Sequence, residues 1–225
     1  LHILRITDEW RDSIPRRRRM EPLPEHNEVL AMRARKFIND STEEKVSELS
    51  DALGVSGASL KKLNIGYMKS DGAWTFPMLR VGGRLIGVRV RRKNGRKFAI
   101  RGSKNGLFIP NNFAPVGVVY VCEGESDTAA MLCRGFNAIG RPSCNSSGRM
   151  IVELVRGRSV TICSDRDGPG RDGSLGLKIQ LERHCPLVGI IEPPVPHKDM
   201  REWLADGGSK DVRGVACEEI IGETG

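Results

Sequence analysis

From residue 116 onward the chain alternates short apolar runs with segments of helical periodicity. Val116-Gly-Val-Val-Tyr-Val-Cys122 is an unbroken apolar stretch rich in Val, as expected of a strand buried on both faces. It gives way to Glu123-Gly124-Glu125-Ser126-Asp127, and a helix is predicted over 126–134. A short strand follows at Ala138-Ile139. A helix over 148–156 places Met150, Ile151, Leu154 and Val155 at helical spacing. A second buried strand over 159–163 ends in Ser164-Asp165-Arg166-Asp167-Gly168. Next come a helix over 174–183, carrying Leu175, Leu177, Ile179 and Leu181, and a strand over 188–191. Pro193-Pro-Val-Pro196 then forces an extended connection. Lys198-Asp199 precedes a short helix with Trp203 and Leu204 that stops at Gly207-Gly208. Strands and helices in this alternation predict an α/β fold, a mostly parallel sheet flanked by helices on both faces.

The first 112 residues read differently. A basic helix over 27–39 has Val29, Leu30, Ala34, Phe37 and Ile38 roughly on one side. Ser41-Thr-Glu-Glu44 has the form of a capping box, in which hydroxyl and carboxylate satisfy free N–H groups at a helix start. That helix runs through Val46, Leu49 and Leu53 to Gly54, and a shorter one over 57–63 is capped by Ser56. Residues 76–80, 84–91 and 97–101 alternate apolar and polar positions. Gly82-Gly83 and Lys93-Asn94-Gly95 separate them, which predicts a small antiparallel meander. Three segments result: an N-terminal basic and helical region at 1–64, a basic β-rich subdomain at 65–112, and an α/β domain at 113–225.

Charge sharpens this picture. The 225 residues carry a net charge of +8, with 28% charged and 39% hydrophobic positions. Such a balance suits a polyanionic partner, although solubility alone accounts for part of it. No Asp or Glu occurs from Gly72 to Cys122, a span that holds Arg89, Arg91, Lys97 and Lys104 among its many cations. Strand alternation puts Arg89 and Arg91 on one face, a candidate track for a phosphate backbone. Its few aromatics, Trp74, Phe76, Phe98 and Phe108, favour charge over base stacking. The basic run Arg16–Arg19 sits among prolines, either a solvated linker or a nucleic-acid arm. No stretch reaches the length of a membrane span, and no apolar segment follows the N-terminal arginines as a secretory signal demands. The six cysteines contain no CxxC pair, so free thiols in the cytoplasm are expected and no zinc site is. The opening Leu1 suits a fragment or a processed product.

Candidate chemistry gathers past the strand ends. Acids at helix starts also favour the dipole or cap a turn, so Glu123, Asp127, Asp165 and Asp167 are each modest evidence singly. Their placement after two buried strands of one array, with Asp199 after another, points to one site at the functional edge of an open α/β sheet. Acids meeting there repel one another unless a cation lies between them, and hard oxygen donors suit Mg²⁺ or Mn²⁺.

Together these motifs resemble the Toprim domain of bacterial primases, topoisomerases and related nucleases, and within it the primase branch of phage and plasmid type. Glu123-Gly-Glu-Ser-Asp127 resembles its first motif. Asp165-Arg-Asp-Gly-Pro-Gly-Arg-Asp172 resembles its second, and Lys198-Asp199 with Trp203-Leu204 its downstream segment. Gly87-Val-Arg89 and Gly102-Ser-Lys-Asn-Gly-Leu-Phe108 resemble the basic part that precedes it. The resemblance implies primer synthesis from nucleoside triphosphates on single-stranded DNA by metal-dependent nucleotidyl transfer. Asp165, Asp167 and Asp199 would hold the metal, and Glu123 would act as general acid/base or a further ligand. Asp127 would help to fix the cluster. Gly168, Gly170 and Arg171 would meet phosphate, although Arg171 can equally pair with Asp172 or Glu182. Arg89, Arg91, Lys97 and Lys104 would guide the template. A zinc ribbon and a helicase, absent as motifs, would act from other chains. A Toprim nuclease and a non-catalytic DNA-binding replication module are the alternatives.

Overall fold

The computed structural model describes residues 24–114, 116–208 and 212; the basic run at 16–19 and Cys217 lie outside them. Helix α1 (Pro24–Asn39) leads to α2 (Glu43–Leu53) and α3 (Gly57–Lys62). Then comes an antiparallel meander of β1 (Gly66–Met68), β2 (Ala73–Leu79), β3 (Leu85–Arg92) and β4 (Lys97–Ala99), in that spatial order. The second half holds β5 (Val119–Glu123), α4 (Gly124–Cys133), β6 (Ala138–Arg141), α5 (Gly148–Val155) and β7 (Val160–Cys163). It ends with α6 (Gly168–Leu181), β8 (Val188–Ile191) and α7 (Met200–Ala205). Its four strands are all parallel, in the order β6-β5-β7-β8.

The apolar pattern explains the layers. Alternate residues of the parallel strands serve opposite faces. Val121, Ile139 and Ile162 pack on one side against Ile151 of α5 and Leu177 and Leu181 of α6. Tyr120, Cys122 and Cys163 pack on the other against Met131 of α4 and Trp203 and Leu204 of α7. That second core continues through Trp74, Phe76 and Met78 of β2 to Leu49 and Leu60 of α2 and α3, so one core runs through all three segments of the chain. The opposite face of the meander, with Ala73, Val88 and Val90, rests on Leu30, Ala34 and Phe37 of α1. Val29 and Ile38 lie off that stripe and are exposed, contrary to the one-sided helix expected. Leu107 and Phe108 stitch the sheets together, pairing with Leu79 and Gly140 respectively.

Several boundaries differ from expectation for local reasons. Strand β5 starts at Val119 rather than at residue 116, because the Arg158 guanidinium gathers the carbonyls of Ala114, Val116 and Gly117 into a loop. The N-cap of α2 is Thr42, whose Oγ1 accepts the Lys45 N–H at 3.3 Å. Ser41 is tied back into the end of α1 through its N–H to Ile38. Helix α6 begins six residues earlier than the apolar periodicity indicated. Asp167 caps it by accepting the Gly170 N–H at 2.8 Å, and Pro169 falls in the first turn, where a missing N–H costs nothing.

Candidate functional site

The acidic residues meet at the C-terminal edge of the parallel sheet. Glu123 is the last residue of β5 and the chain turns directly into α4 at Gly124, whose φ of +88° only glycine adopts without strain. Asp127 thereby falls in the first turn of α4, 5% exposed, with Oδ1 accepting the Arg201 N–H at 3.0 Å. Asp165 and Asp167 follow β7, and Asp199 caps α7 by accepting the Glu202 N–H at 2.9 Å.

Electrostatics ties the five together. Burial raises the Asp165 carboxyl to about 7, and Glu123, Asp199 and Asp167 push it in the same direction against Lys198. Burial also lifts Asp127 well above the ordinary carboxylate range, with Asp199 and Asp165 adding to it and the Arg201 N–H and Lys97 opposing. Asp165 and Asp127 feel their acidic neighbours across a partly dry edge, where repulsion is screened far less than in water. Among the described residues, no three His, Cys, Asp or Glu side chains converge closely enough to clasp an ion as they stand. The fit to a hard divalent cation rests on donor chemistry. These are oxygen donors whose mutual repulsion, felt at Asp165 and Asp127, a cation would relieve.

The remaining candidates divide. Arg91 and Lys97 turn inward: Arg91 Nη1 lies 3.2 Å and Lys97 Nζ 3.1 Å from Glu125 Oε1. Glu125 is 1% exposed, and although burial alone would raise its pKa, the two cations and a backbone hydrogen bond bring it below the usual value. Arg89 shares the Arg91 face, opposite Phe76 on β2. That face looks toward the core and α4 rather than open solvent, and Arg89 Nε is sealed without a partner. Lys104 is exposed. Arg171 pairs with neither Asp172 nor Glu182; its Nε and Nη2 donate to Glu192 at 2.6 and 3.0 Å. Gly168 has open space around it, whereas a Cβ on Gly170 would stand 2.7 Å from the Asp165 carbonyl oxygen.

Three groups at the site escaped the sequence reading. Glu125 passed as an ordinary acid at a helix start. The Arg201 N–H that holds Asp127 carries no side-chain signal at all. Arg141 ends β6 in register with Glu123 and is 3% exposed. An arginine directly after an apolar Ala-Ile-Gly run, at the same sheet edge as Glu123, was the available clue.

No family model matches the chain, and no curated protein matches it. Solved structures do. The DnaG primase catalytic domain bound to single-stranded DNA superposes with a TM-score of 0.67 at 16% identity, over 86% of this chain and 78% of that one. The E. coli primase catalytic core gives 0.64 at 16% identity, over 86% and 79%. The primase fragment of the bacteriophage T7 primase-helicase protein gives 0.57 at 15% identity, over 73% and 71%. The chain has the fold of primase catalytic cores. Among the described residues no helix is long and apolar enough to cross a membrane.

Proposed function

We propose that the chain is a primase-type nucleotidyltransferase that builds short primers on single-stranded DNA from nucleoside triphosphates. The observation that carries this reading is the gathering of Glu123, Asp127, Asp165, Asp167 and Asp199 at one sheet edge, with Asp165 lifted to about 7 by burial and its acidic neighbours. The fold supports it, as does the single-stranded DNA bound by the similar DnaG catalytic domain. The likeness to a fragment of the T7 primase-helicase protein supports a helicase partner, and the lack of a CxxC pair in this sequence leaves a zinc-ribbon protein as a second partner in trans. Asp165, Asp167 and Asp199, with Glu123, would hold Mg²⁺ or Mn²⁺, which supplies charge neutralisation at phosphate and a more acidic attacking hydroxyl. Asp127, fixed by the Arg201 N–H, orients the cluster from behind. Glu123 takes the hydroxyl proton or adds a further ligand. Gly168, Gly170 and Arg171 lie at the start of α6 and would meet phosphate there once the Gly170 N–H leaves its Asp167 cap and Arg171 leaves Glu192. Lys104, the exposed cation of the set, contributes to template binding, the inward-turned Arg89 does not reach it as the chain stands, and Lys97 stands between template and acids.

Primer synthesis on a single-stranded template, with nucleoside triphosphates and Mg²⁺ or Mn²⁺, tests the reading. The wild-type chain is expected to incorporate nucleotide, and Asp165→Ala with Asp167→Ala to reduce incorporation to background. Incorporation that survives the double substitution sinks the assigned roles. DNA cleavage without incorporation replaces the reading with a nuclease, and metal-insensitive DNA binding alone replaces it with an accessory module.

A further inference from the structure

Beside the acidic edge, between α5 and α6, lies a cavity of about 230 Å³. Its lining includes Arg141, Cys144, Asn145, Arg149, Gly176 and Gln180, and no carboxylate among the lining residues. Arg141 stands at its inner wall. Although only 3% exposed, its guanidinium makes one hydrogen bond among the described residues, Nη1 to the Gly173 carbonyl at 3.4 Å, and no ion pair within 4.0 Å. No Arg141 nitrogen is sealed without a partner, so the unclaimed donors of its guanidinium open on the cavity, where an anion can take them. Burial draws its pKa down, and Glu123 and Asp165 nearby hold it charged. Arg149 adds a second cation at the open side, beside the first N–H groups of α5. The space is built by glycine: a Cβ on Gly173 would lie 2.6 Å from Cys144 Cβ, and one on Gly148 would lie 2.7 Å from Gln180 Oε1. The first holds α6 against the loop that precedes α5 and the second holds α5 against α6, while Gly176 leaves the mouth open, with no atom within 4 Å of where its Cβ would be.

We infer that this cavity is a polyphosphate subsite, in which Arg141 and Arg149 receive the triphosphate tail of a nucleotide. The planar guanidinium fork matches phosphate oxygens two at a time. The volume falls below the roughly 300 Å³ at which pockets for whole drug-sized ligands begin. A few phosphate groups fit, and a nucleic-acid strand, which needs an extended track, does not. Arg141 connects the cavity to the acids, since its charge is felt by Glu123 and Asp165 on one side while its donors face the cavity on the other. That the phosphates belong to a nucleotide rests on the primer-synthesis reading; the anion site itself does not.

Calorimetric titration in chelator-treated, metal-free buffer tests the site apart from any ion at the acidic edge. Tripolyphosphate, ATP and pyrophosphate are titrated in turn into wild-type, Arg141→Gln and Gly176→Leu chains. Tripolyphosphate and ATP are expected to bind the wild type, and each substitution to weaken both by about tenfold or more. Gly176→Leu fills the mouth from an unobstructed position, so it reports on the cavity even where Arg141→Gln fails to fold. No binding by the wild type, or equal binding by a folded Gly176→Leu chain, overturns the inference. Pyrophosphate bound more tightly than tripolyphosphate overturns the assignment to a triphosphate tail. Binding lost in the variants of a chain that makes no primers upholds the site and removes the primase reading. Primer synthesis by Gly176→Leu at an unchanged nucleotide KM removes the site and leaves that reading in place.

Discussion

Asp165 sits among carboxylates that each make its ionisation harder, and the sign of that effect fixes how the protein responds to pH. An unfolded aspartate titrates near 4, whereas the folded Asp165 holds its proton to about 7. Between those values the native state binds more protons than the unfolded chain. Stability therefore falls as pH climbs from about 4 to 7, and the full penalty persists above that window. Asp127, also raised, acts in the same direction. A divalent cation reverses the penalty and must displace the Asp165 proton to do so. Mn²⁺ is therefore expected to bind about tenfold tighter at about pH 8 than at about pH 6, and to raise the melting temperature more at the higher pH. Asp165→Asn should melt higher than the metal-free wild type at about pH 8 and lose most of its response to Mn²⁺. Thermal denaturation with and without the ion measures both, and equal Mn²⁺ shifts at the two pH values would remove Asp165 from the metal-binding set.

Helix α6 carries the second motif at its first turn, and its start is where periodicity is a poor guide. Three glycines and a proline between Gly168 and Gly173 look like a turn, since each interior glycine costs a helix about 1 kcal/mol. The structure shows what offsets that cost: the Asp167 cap, Pro169 in the first turn, and close approaches at Gly170 and Gly173 that no larger residue permits. Gly170→Ala would press a methyl against the Asp165 backbone and is expected to cost about 1–3 kcal/mol, with a matching loss of primer synthesis. Gly168→Ala meets nothing within 4 Å and should change stability by no more than about 1 kcal/mol. Chemical denaturation of the two variants separates crowding from helix propensity, and equal losses would mean that the close approach to Asp165 is unimportant. The elements themselves were legible where burial is two-sided: β8 occupies its expected residues, and the strand-end placement of Glu123 and Asp165 followed from the apolar runs. What could not be read is which face of β3 meets which neighbour. Alternation groups Arg89 with Arg91, but only the packing of Trp74 and Phe76 into the main core turns that pair inward.

At the scale of the whole molecule, Glu125 joins the two halves. It belongs to the helix that follows β5, while Arg91 and Lys97 come from neighbouring strands of the meander. The positions of the basic sheet and the acidic edge are therefore coupled through one carboxylate. Cutting it leaves two cations facing a dry wall. Both retain some contact with water, at 18% and 29% side-chain exposure. Glu125→Gln is accordingly expected to cost about 2 kcal/mol or more, short of the 3–5 kcal/mol of fully sealed pairs. The same geometry splits the basic residues into two kinds with different signatures. Arg91→Ala should lower the denaturation midpoint, because it strips Glu125 of a partner. Lys104→Ala removes an exposed cation and should leave the midpoint unchanged. Where Lys104 meets template phosphate, its loss lowers the slope of log affinity against log salt by about 1. Single-stranded DNA binding measured across a salt series, beside denaturation of each variant, tests the division. A Lys104→Ala chain with an unaltered salt slope would place the template path elsewhere. An Arg91→Ala chain of wild-type stability would mean that the bridge to Glu125 does not hold the two sheets in register.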